Sequence, residues 1–416
     1  MSDHTNIDQP TRWLSIVGIG EDGIEGLGEL ARGLIESAEF VFGGARHLSL
    51  AAPLIHGASR PWATPFAQSV DAVLSCRGRP VCVLASGDPF QHGVGSLLAR
   101  HVAAEETIVV PAVSAFSLAA SRLLWPLPRT TLLSLCGRPL DLIRPHLHPG
   151  AHILALTSGA EAPVAIADLL SKAGFGESTV TVLEALGGPR ERIRSARANA
   201  FNLELIDALN TVAIEIVAQA DARIIPRVAG LPDELFEHDG QITKREIRAL
   251  TLSALAPRRA EHLWDIGAGS GSIAIEWMLA DPSLTAVAIE RSRDRAARIR
   301  RNAITFGVPD LRVIEAGAPE ALGGLPAPDA IFIGGGAGAP GLIEAARAAL
   351  RPQGRLVVNA VTLETEAILL KANAEHGGTL TRVEIHHTRP VGGEDGRFSS
   401  WRPGNPIVQW KWVKPL

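Results

Sequence analysis

Asp265 and three alternate glycines, Gly267, Gly269 and Gly271, stand between the apolar run Leu263-Trp264-Asp265-Ile266 and a helix-like segment, 272–279. Glycines at this spacing let the backbone turn tightly and leave no Cβ in the way of a ligand, while the free N–H groups of the next helix point into the gap. Such a loop can hold a nucleotide-like cofactor. The following apolar run, 284–289, ends in Glu290, a carboxylate placed to accept both hydroxyls of a ribose. A second glycine loop, Gly18-Ile19-Gly20-Glu21-Asp22-Gly23, matches G-x-G-x-x-G and carries the rival reading of a nicotinamide- or flavin-dependent oxidoreductase. Its context is poor, because Gly26-Leu27-Gly28 makes a weak first helical turn and Glu21-Asp22 would repel a pyrophosphate.

In the first half, apolar runs end in small-residue loops: Ala85-Ser86-Gly87-Asp88-Pro89-Phe90, Pro111-Ala112-Val113-Ser114-Ala115 and Cys136-Gly137-Arg138-Pro139. In an open α/β sheet the loops at the carboxyl ends of the strands are where ligands bind. Together with residues 17–20, these loops resemble the tetrapyrrole methylase family. The resemblance implies a two-lobed fold and S-adenosyl-L-methionine contacts at Ser86, Gly87, Asp88, Ser114, Ala115 and Cys136. The first loop departs from that family's glycine-proline-glycine-aspartate pattern, since it reads Glu21-Asp22-Gly23.

The second half is similar to a class I methyltransferase, on the strength of Asp265, the G-x-G-x-G loop and Glu290. Gly240-Gln241-Ile242-Thr243-Lys244-Arg245-Glu246, Ala318-Pro319-Glu320-Ala321-Leu322, residues 333–336 and Asn359-Ala360-Val361-Thr362 narrow the likeness to the corrin C-15 methyltransferases and decarboxylases. The two halves in this order resemble the fused C5,15-methyltransferases of cobalamin synthesis. That family methylates a precorrin at carbons 5 and 15 and removes the carboxyl of the C-12 acetate. It implies two S-adenosyl-L-methionine sites, the second formed by Thr243, Gly267, Ala268, Gly269, Ser270, Gly271, Glu290 and Ala318. The substrate would be a small-molecule tetrapyrrole with many carboxylates, which calls for arginine partners. Candidates are Arg245, Arg389 and Arg397, with Arg138 and Arg46-His47 in the first half, and His386 and His387 as proton donors. A non-catalytic tetrapyrrole carrier is the third reading.

Positioning these groups requires an α/β chain of two domains. The expected division is 1–220, a linker at 221–239 rich in proline, glycine and charge, and 240–416. The first domain should be the two-lobed methylase fold, its second lobe containing strands at 151–156, 179–183 and 212–217 and a helix at 163–173. The other should be a Rossmann-like, seven-stranded class I sheet. Its strands are expected at 263–266, 284–289, 311–314, 329–333, 355–360, 379–386 and 407–412. A helix over 244–256 is predicted to open on a capping box of Thr243 and Glu246.

A chain of 416 residues, 46% hydrophobic and 20% charged, is long enough for two sizeable cores. The formal net charge of −4 gives no electrostatic reason to expect nucleic acid. Cys76, Cys82 and Cys136 are too few and too scattered for a disulfide framework or zinc site and read as small buried apolar residues. No histidine cluster argues for a metal. The absence of a long apolar run or of a signal-peptide pattern leads to the expectation of a cytoplasmic protein with no membrane partner. A homo-oligomer is compatible with all of this.

Overall fold

The computed structural model describes residues 12–391 and 398–416. It separates into two units, one of residues up to Leu140 with His148–Ala222, the other of Asp141–Leu147 with Arg223–Leu416.

The first unit contains two sheets. Strands β1 (Leu14–Ile19), β2 (Phe40–Gly43), β3 (Ala58–Pro61), β4 (Val81–Ser86) and β5 (Thr107–Val110) form a parallel sheet in the order β3-β2-β4-β1-β5. The interior strand β1 is buried at every residue, as expected of a strand covered on both faces. Strands β6 (Thr130–Ser134), β7 (His152–Leu156), β8 (Thr179–Glu184), β9 (Arg192–Arg197) and β10 (Asn210–Glu215) form the second sheet, ordered β6-β7-β10-β8-β9, in which only β6 and β7 run parallel. These are the two lobes expected of a tetrapyrrole methylase.

The second unit is built on β11 (His262–Ile266), β12 (Thr285–Glu290), β13 (Arg312–Glu315), β14 (Ala330–Ile333), β15 (Arg355–Ala360), β16 (Thr379–Val383), β17 (His386–Val391), β18 (Phe398–Pro403) and β19 (Ile407–Val413). Seven of them form one sheet, β13-β12-β11-β14-β15-β19-β16, with β19 antiparallel to both neighbours. The chain winds outward from β11 through β12 to β13, then returns to lay β14 on the other side of β11. That reversal leaves a crevice beyond the carboxyl ends of β11 and β14, where ligands bind in open α/β sheets. Alternation along β11 feeds two cores: Leu263 joins Trp277, Phe306 and Phe332 on one face, and Trp264 joins Ile331, Leu356 and Trp410 on the other. The seven expected strands are all present. His386 does not extend β16 but starts the separate hairpin β17–β18.

Three local expectations give way to tertiary contacts. Residues 223–239, read from composition as linker, are placed with the second unit: Ile225, Leu231 and Phe236 enter its core, and the backbone N–H groups of Gly230 and Leu231 donate to Glu276. The capping box does not form. The helix Arg245–Leu255 has Lys244 at its N-cap with no side-chain cap, and the Thr243 carbonyl is taken by the Arg248 guanidinium. Of the cysteines, Cys82 is buried, Cys76 half-buried and Cys136 exposed, so only the first fits the apolar reading.

Among the described residues no cluster of His, Cys, Asp or Glu could hold a metal ion. No described helix is long and apolar enough to cross a membrane.

Candidate functional sites

A cavity of about 950 Å³ opens in the second unit at the crevice described above. Its floor is the glycine loop after β11. Gly267 and Gly269 have φ of +69° and +58°, and a Cβ on Gly267 would come within 2.7 Å of the Gly335 carbonyl oxygen. Only glycine lets the ends of β11 and β14 approach in this way. At the end of β12, Glu290 is 5% exposed, and its two carboxylate oxygens accept the N–H groups of Gly269 and Ser292, each at 2.9 Å. Those bonds hold the carboxylate at the cavity's edge with lone pairs left for further donors.

Asp265 lies beneath the loop. One of its oxygens accepts the Ala274 N–H at 3.1 Å, at the start of the helix Ser272–Ala280, and the other is buried without a partner. Burial pushes its carboxyl up to about 7 against the Ala274 hydrogen bond, and the Glu290 charge adds to the rise.

Residues 240–247 form the facing wall. They are tied down by Arg248, fully buried, whose guanidinium donates to Glu276, to Asp233 at 3.0 Å and to the carbonyls of Leu231 and Thr243. The far wall is made by the ends of β15 and β16, the start of β19 and the turn at Gly404-Asn405.

Six of the sequence-derived cofactor residues, Thr243, Gly267, Ala268, Gly269, Glu290 and Ala318, line this cavity. Ser270 and Gly271 do not. Ser270 is 1% exposed, its carbonyl accepting from Asn302, and a Cβ on Gly271 would strike Ile299 at 2.7 Å, so this glycine permits helix packing. Of the suggested catalytic groups only His387 reaches the cavity. His386 and Arg389 sit exposed on the same hairpin strand outside its lining. Arg245 lines it, and Arg397 lies outside the described residues. The reading of the sequence missed Arg291, Arg295 and Asn405. Arg295 falls in a helix rich in arginine, and Asn405 in a loop with no periodic pattern, so neither stood out.

A glycine cradle that a Cβ would fill, a fixed carboxylate one strand away and the small side chains of Ala316 and Ala318 suit a nucleoside carrying ribose hydroxyls. S-adenosyl-L-methionine fits that donor set.

The first unit has a smaller hollow, about 60 Å³, lined by Glu21, Arg46, Ser86, Gly87, Ala115 and Asn210 among others. The three loops meet tightly here: a Cβ on Gly18 would lie 2.0 Å from the Gly87 carbonyl oxygen and 2.5 Å from the Ala112 nitrogen. Ser86, Gly87 and Ala115 are therefore brought together. Asp88 accepts the Phe90 N–H at 2.8 Å, Ser114 caps the helix Ala115–Leu123 through the Ser117 N–H, and Cys136 is exposed; none of the three lines the hollow. Glu21 pairs with Arg46, which also meets His47 at 2.8 Å; burial, with the Arg46 charge adding to it, holds that imidazole down to about 4. Arg138 is not part of the lining. A space of this size admits about two waters and no nucleoside.

The rival dinucleotide loop is not supported, because Gly23 opens a 3₁₀ turn, Gly23–Gly26, instead of leading into an α-helix whose N-terminus could meet a pyrophosphate.

Residues 14–201 match the family model of tetrapyrrole (corrin/porphyrin) methylases, and residues 234–414 that of the precorrin methyltransferase domain. A Sinorhizobium protein named precorrin-6Y C(5,15)-methyltransferase [decarboxylating] is 57% identical over 402 residues, covering 97% of this chain and 96% of the relative. A Mycobacterium tuberculosis protein of the same name is 41% identical over 404 residues, 96% of this chain and 99% of the relative. The cobalt-precorrin-6B C(15)-methyltransferase (decarboxylating) of Salmonella typhimurium is 34% identical over 184 residues, 42% of this chain but 92% of its own length. Likeness of this extent and coverage leaves neither an oxidoreductase nor a carrier, and the chain belongs to the family of decarboxylating precorrin-6Y C(5,15)-methyltransferases.

Proposed function

We infer that this S-adenosyl-L-methionine-dependent enzyme methylates a precorrin macrocycle at carbons 5 and 15 and removes the carboxyl of its C-12 acetate. We assign the C-5 methylation to the first unit and the C-15 methylation with decarboxylation to the second. The observation that carries this reading is the 950 Å³ cavity at the strand-order reversal, where the glycine loop and Glu290 meet. The Salmonella relative matches only 42% of this chain, about the share that one unit makes up, and carries C(15) and decarboxylating but not C(5) in its name, which supports a division of labour between two domains.

When bound, S-adenosyl-L-methionine supplies an electrophilic methyl group on sulfur. In the second unit Glu290 would accept its ribose hydroxyls, and the backbone of Gly267–Gly269 would lie against it with no side chain between. Thr243 and Ala318 close the sides. Methyl transfer to a carbon nucleophile needs alignment and exclusion of water more than an acid or base, and the chain supplies a walled cavity for both. Arg245 and Lys244, on the facing wall, would pair with substrate carboxylates.

A second donor site, in the first unit, is supported by the family match and by the meeting of Ser86, Gly87 and Ala115.

Calorimetry with S-adenosylhomocysteine tests the whole reading. Two equivalents should bind per chain, and Gly269→Trp should leave one. Binding of a single equivalent that Gly269→Trp abolishes would confine the donor to the second unit.

A further inference from the structure

At and behind the far wall of the second unit's cavity two amides and a hydroxyl are locked in one arrangement. Asn359 and Gln409 are cross-strand partners on β15 and β19, and Thr251 faces them from the helix Arg245–Leu255. The Thr251 hydroxyl donates to the Ile247 carbonyl at 2.8 Å, so it can only accept from the amides. It takes one N–H from Asn359 at 2.9 Å and one from Gln409 at 3.2 Å. The second Gln409 N–H goes to the Asn359 carbonyl oxygen at 2.9 Å. This chain of donors allows a single orientation of the Asn359 carboxamide. Its remaining N–H has no acceptor among the described residues. Thr251 is 0% and Gln409 9% exposed, whereas Asn359 is half-buried and lines the cavity.

The surroundings of Asn359 differ from the rest of the site. Charged side chains of the lining, among them Lys244, Arg245, Glu290 and Arg295, all come from other segments. Around Asn359 the wall is Val361, Val383, Ile385 and Ile407, with His387 and Asn405 as further polar groups. Among the described residues this wall carries no permanent charge.

We propose that this wall is the subsite for the acetate that is lost, with the free N–H of Asn359 donating to its carboxylate and Thr251 and Gln409 acting as positioning residues. The inference rests on the decarboxylating function proposed above. In the step, the bond between methylene and carboxyl carbon breaks, its electron pair passes into the conjugated macrocycle, carbon dioxide leaves, and the former methylene takes one proton from solvent to become methyl. Oxidation state overall is unchanged. Charge concentrated on two oxygens in the ground state spreads over the ring as the bond breaks, so a wall without cations favours the transition state over the bound carboxylate. One neutral donor orients the group without neutralising it. An arginine here would bind the acetate more tightly and hold it back.

The test uses the full-length enzyme with its precorrin substrate, following carbon dioxide release and product mass. Asn359→Leu should lower kcat for decarboxylation about tenfold to a hundredfold, the cost of a reacting group no longer held in line, while S-adenosylhomocysteine still binds the second unit and C-5 methylation proceeds. Thr251→Val should reproduce much of that loss and Thr251→Ser, which keeps the hydroxyl, should restore it. Val361→Lys, at a position 63% exposed, should lower both KM and kcat for decarboxylation. Decarboxylation at the unaltered rate in Asn359→Leu, or faster in Val361→Lys, would overturn the proposal. Failure of the unaltered enzyme to decarboxylate would instead overturn the functional reading beneath it.

Discussion

Asp265 illustrates how a single residue can couple the glycine loop to solution conditions. Its carboxyl is raised from 3.8 to about 7, so between those values the folded chain holds a proton that the unfolded chain has released. Stability contributed by this group is therefore greatest near and below pH 4 and declines as pH climbs toward 7. Replacing it by Asn keeps the shape and the acceptor for the Ala274 N–H but removes the titration. Relative to the unaltered protein, Asp265→Asn should gain thermal stability as pH rises from 4 to about 7 and hold that gain at pH 8, with little difference between the two at pH 4. Melting temperatures across that range check it, and a constant offset at every pH would show that Asp265 does not titrate as argued. The aspartate was conspicuous in the sequence because it stands before G-x-G-x-G, but its unpartnered second oxygen was not, since that depends on what the helix Ser272–Ala280 and β12 place around it.

At the scale of elements, the sequence disclosed the strands that carry a buried apolar run and hid edge strands such as β3 and β9 that lack one. β1, β4, β11, β12 and β15 are runs of buried residues that end in glycine, acid or amide, and each was visible as such. β3 is exposed at all four residues, and β9 reads Arg-Ile-Arg-Ser-Ala-Arg, an edge strand kept soluble by charge. Neither has a pattern that separates it from a loop. Residues 223–239 were opaque for another reason. Their order comes from Arg248 and Glu276, 28 positions apart, and no local period signals a buried ion pair. Arg248→Met would leave the Glu276 carboxylate buried with two backbone donors and no cation, at a cost of about 3–5 kcal/mol. Denaturant unfolding should show that loss in the second unit, together with weaker S-adenosylhomocysteine binding as the wall bearing Thr243 loosens. The double variant Arg248→Met with Glu276→Leu should recover part of the stability without the binding. Recovery of both would mean that the ion pair merely fills space.

For the molecule as a whole, the two halves were legible as separate domains because each carries its own set of strand-end loops, and a chain of this length forms two cores more readily than one. What the sequence could not convey is how different the two sites are in the fold, one a cavity of about 950 Å³ and the other a hollow of about 60 Å³. The proposed division of labour between the units has a direct consequence for product distribution. Ser86→Trp places a large ring against the small hollow of the first unit, and Gly269→Trp adds bulk to the cradle of the second at a residue with φ of +58°. With a precorrin and excess S-adenosyl-L-methionine, Ser86→Trp should yield macrocycle decarboxylated and methylated at C-15 but lacking the C-5 methyl. Gly269→Trp should yield the complementary product, methylated at C-5 with every carboxyl intact. Mass spectrometry separates the two, since the second product retains the mass of carbon dioxide. Loss of all three changes in either variant, with both units folded by circular dichroism and cooperative melting, would mean that one donor site serves both methylations and that the small hollow does not hold a donor at all.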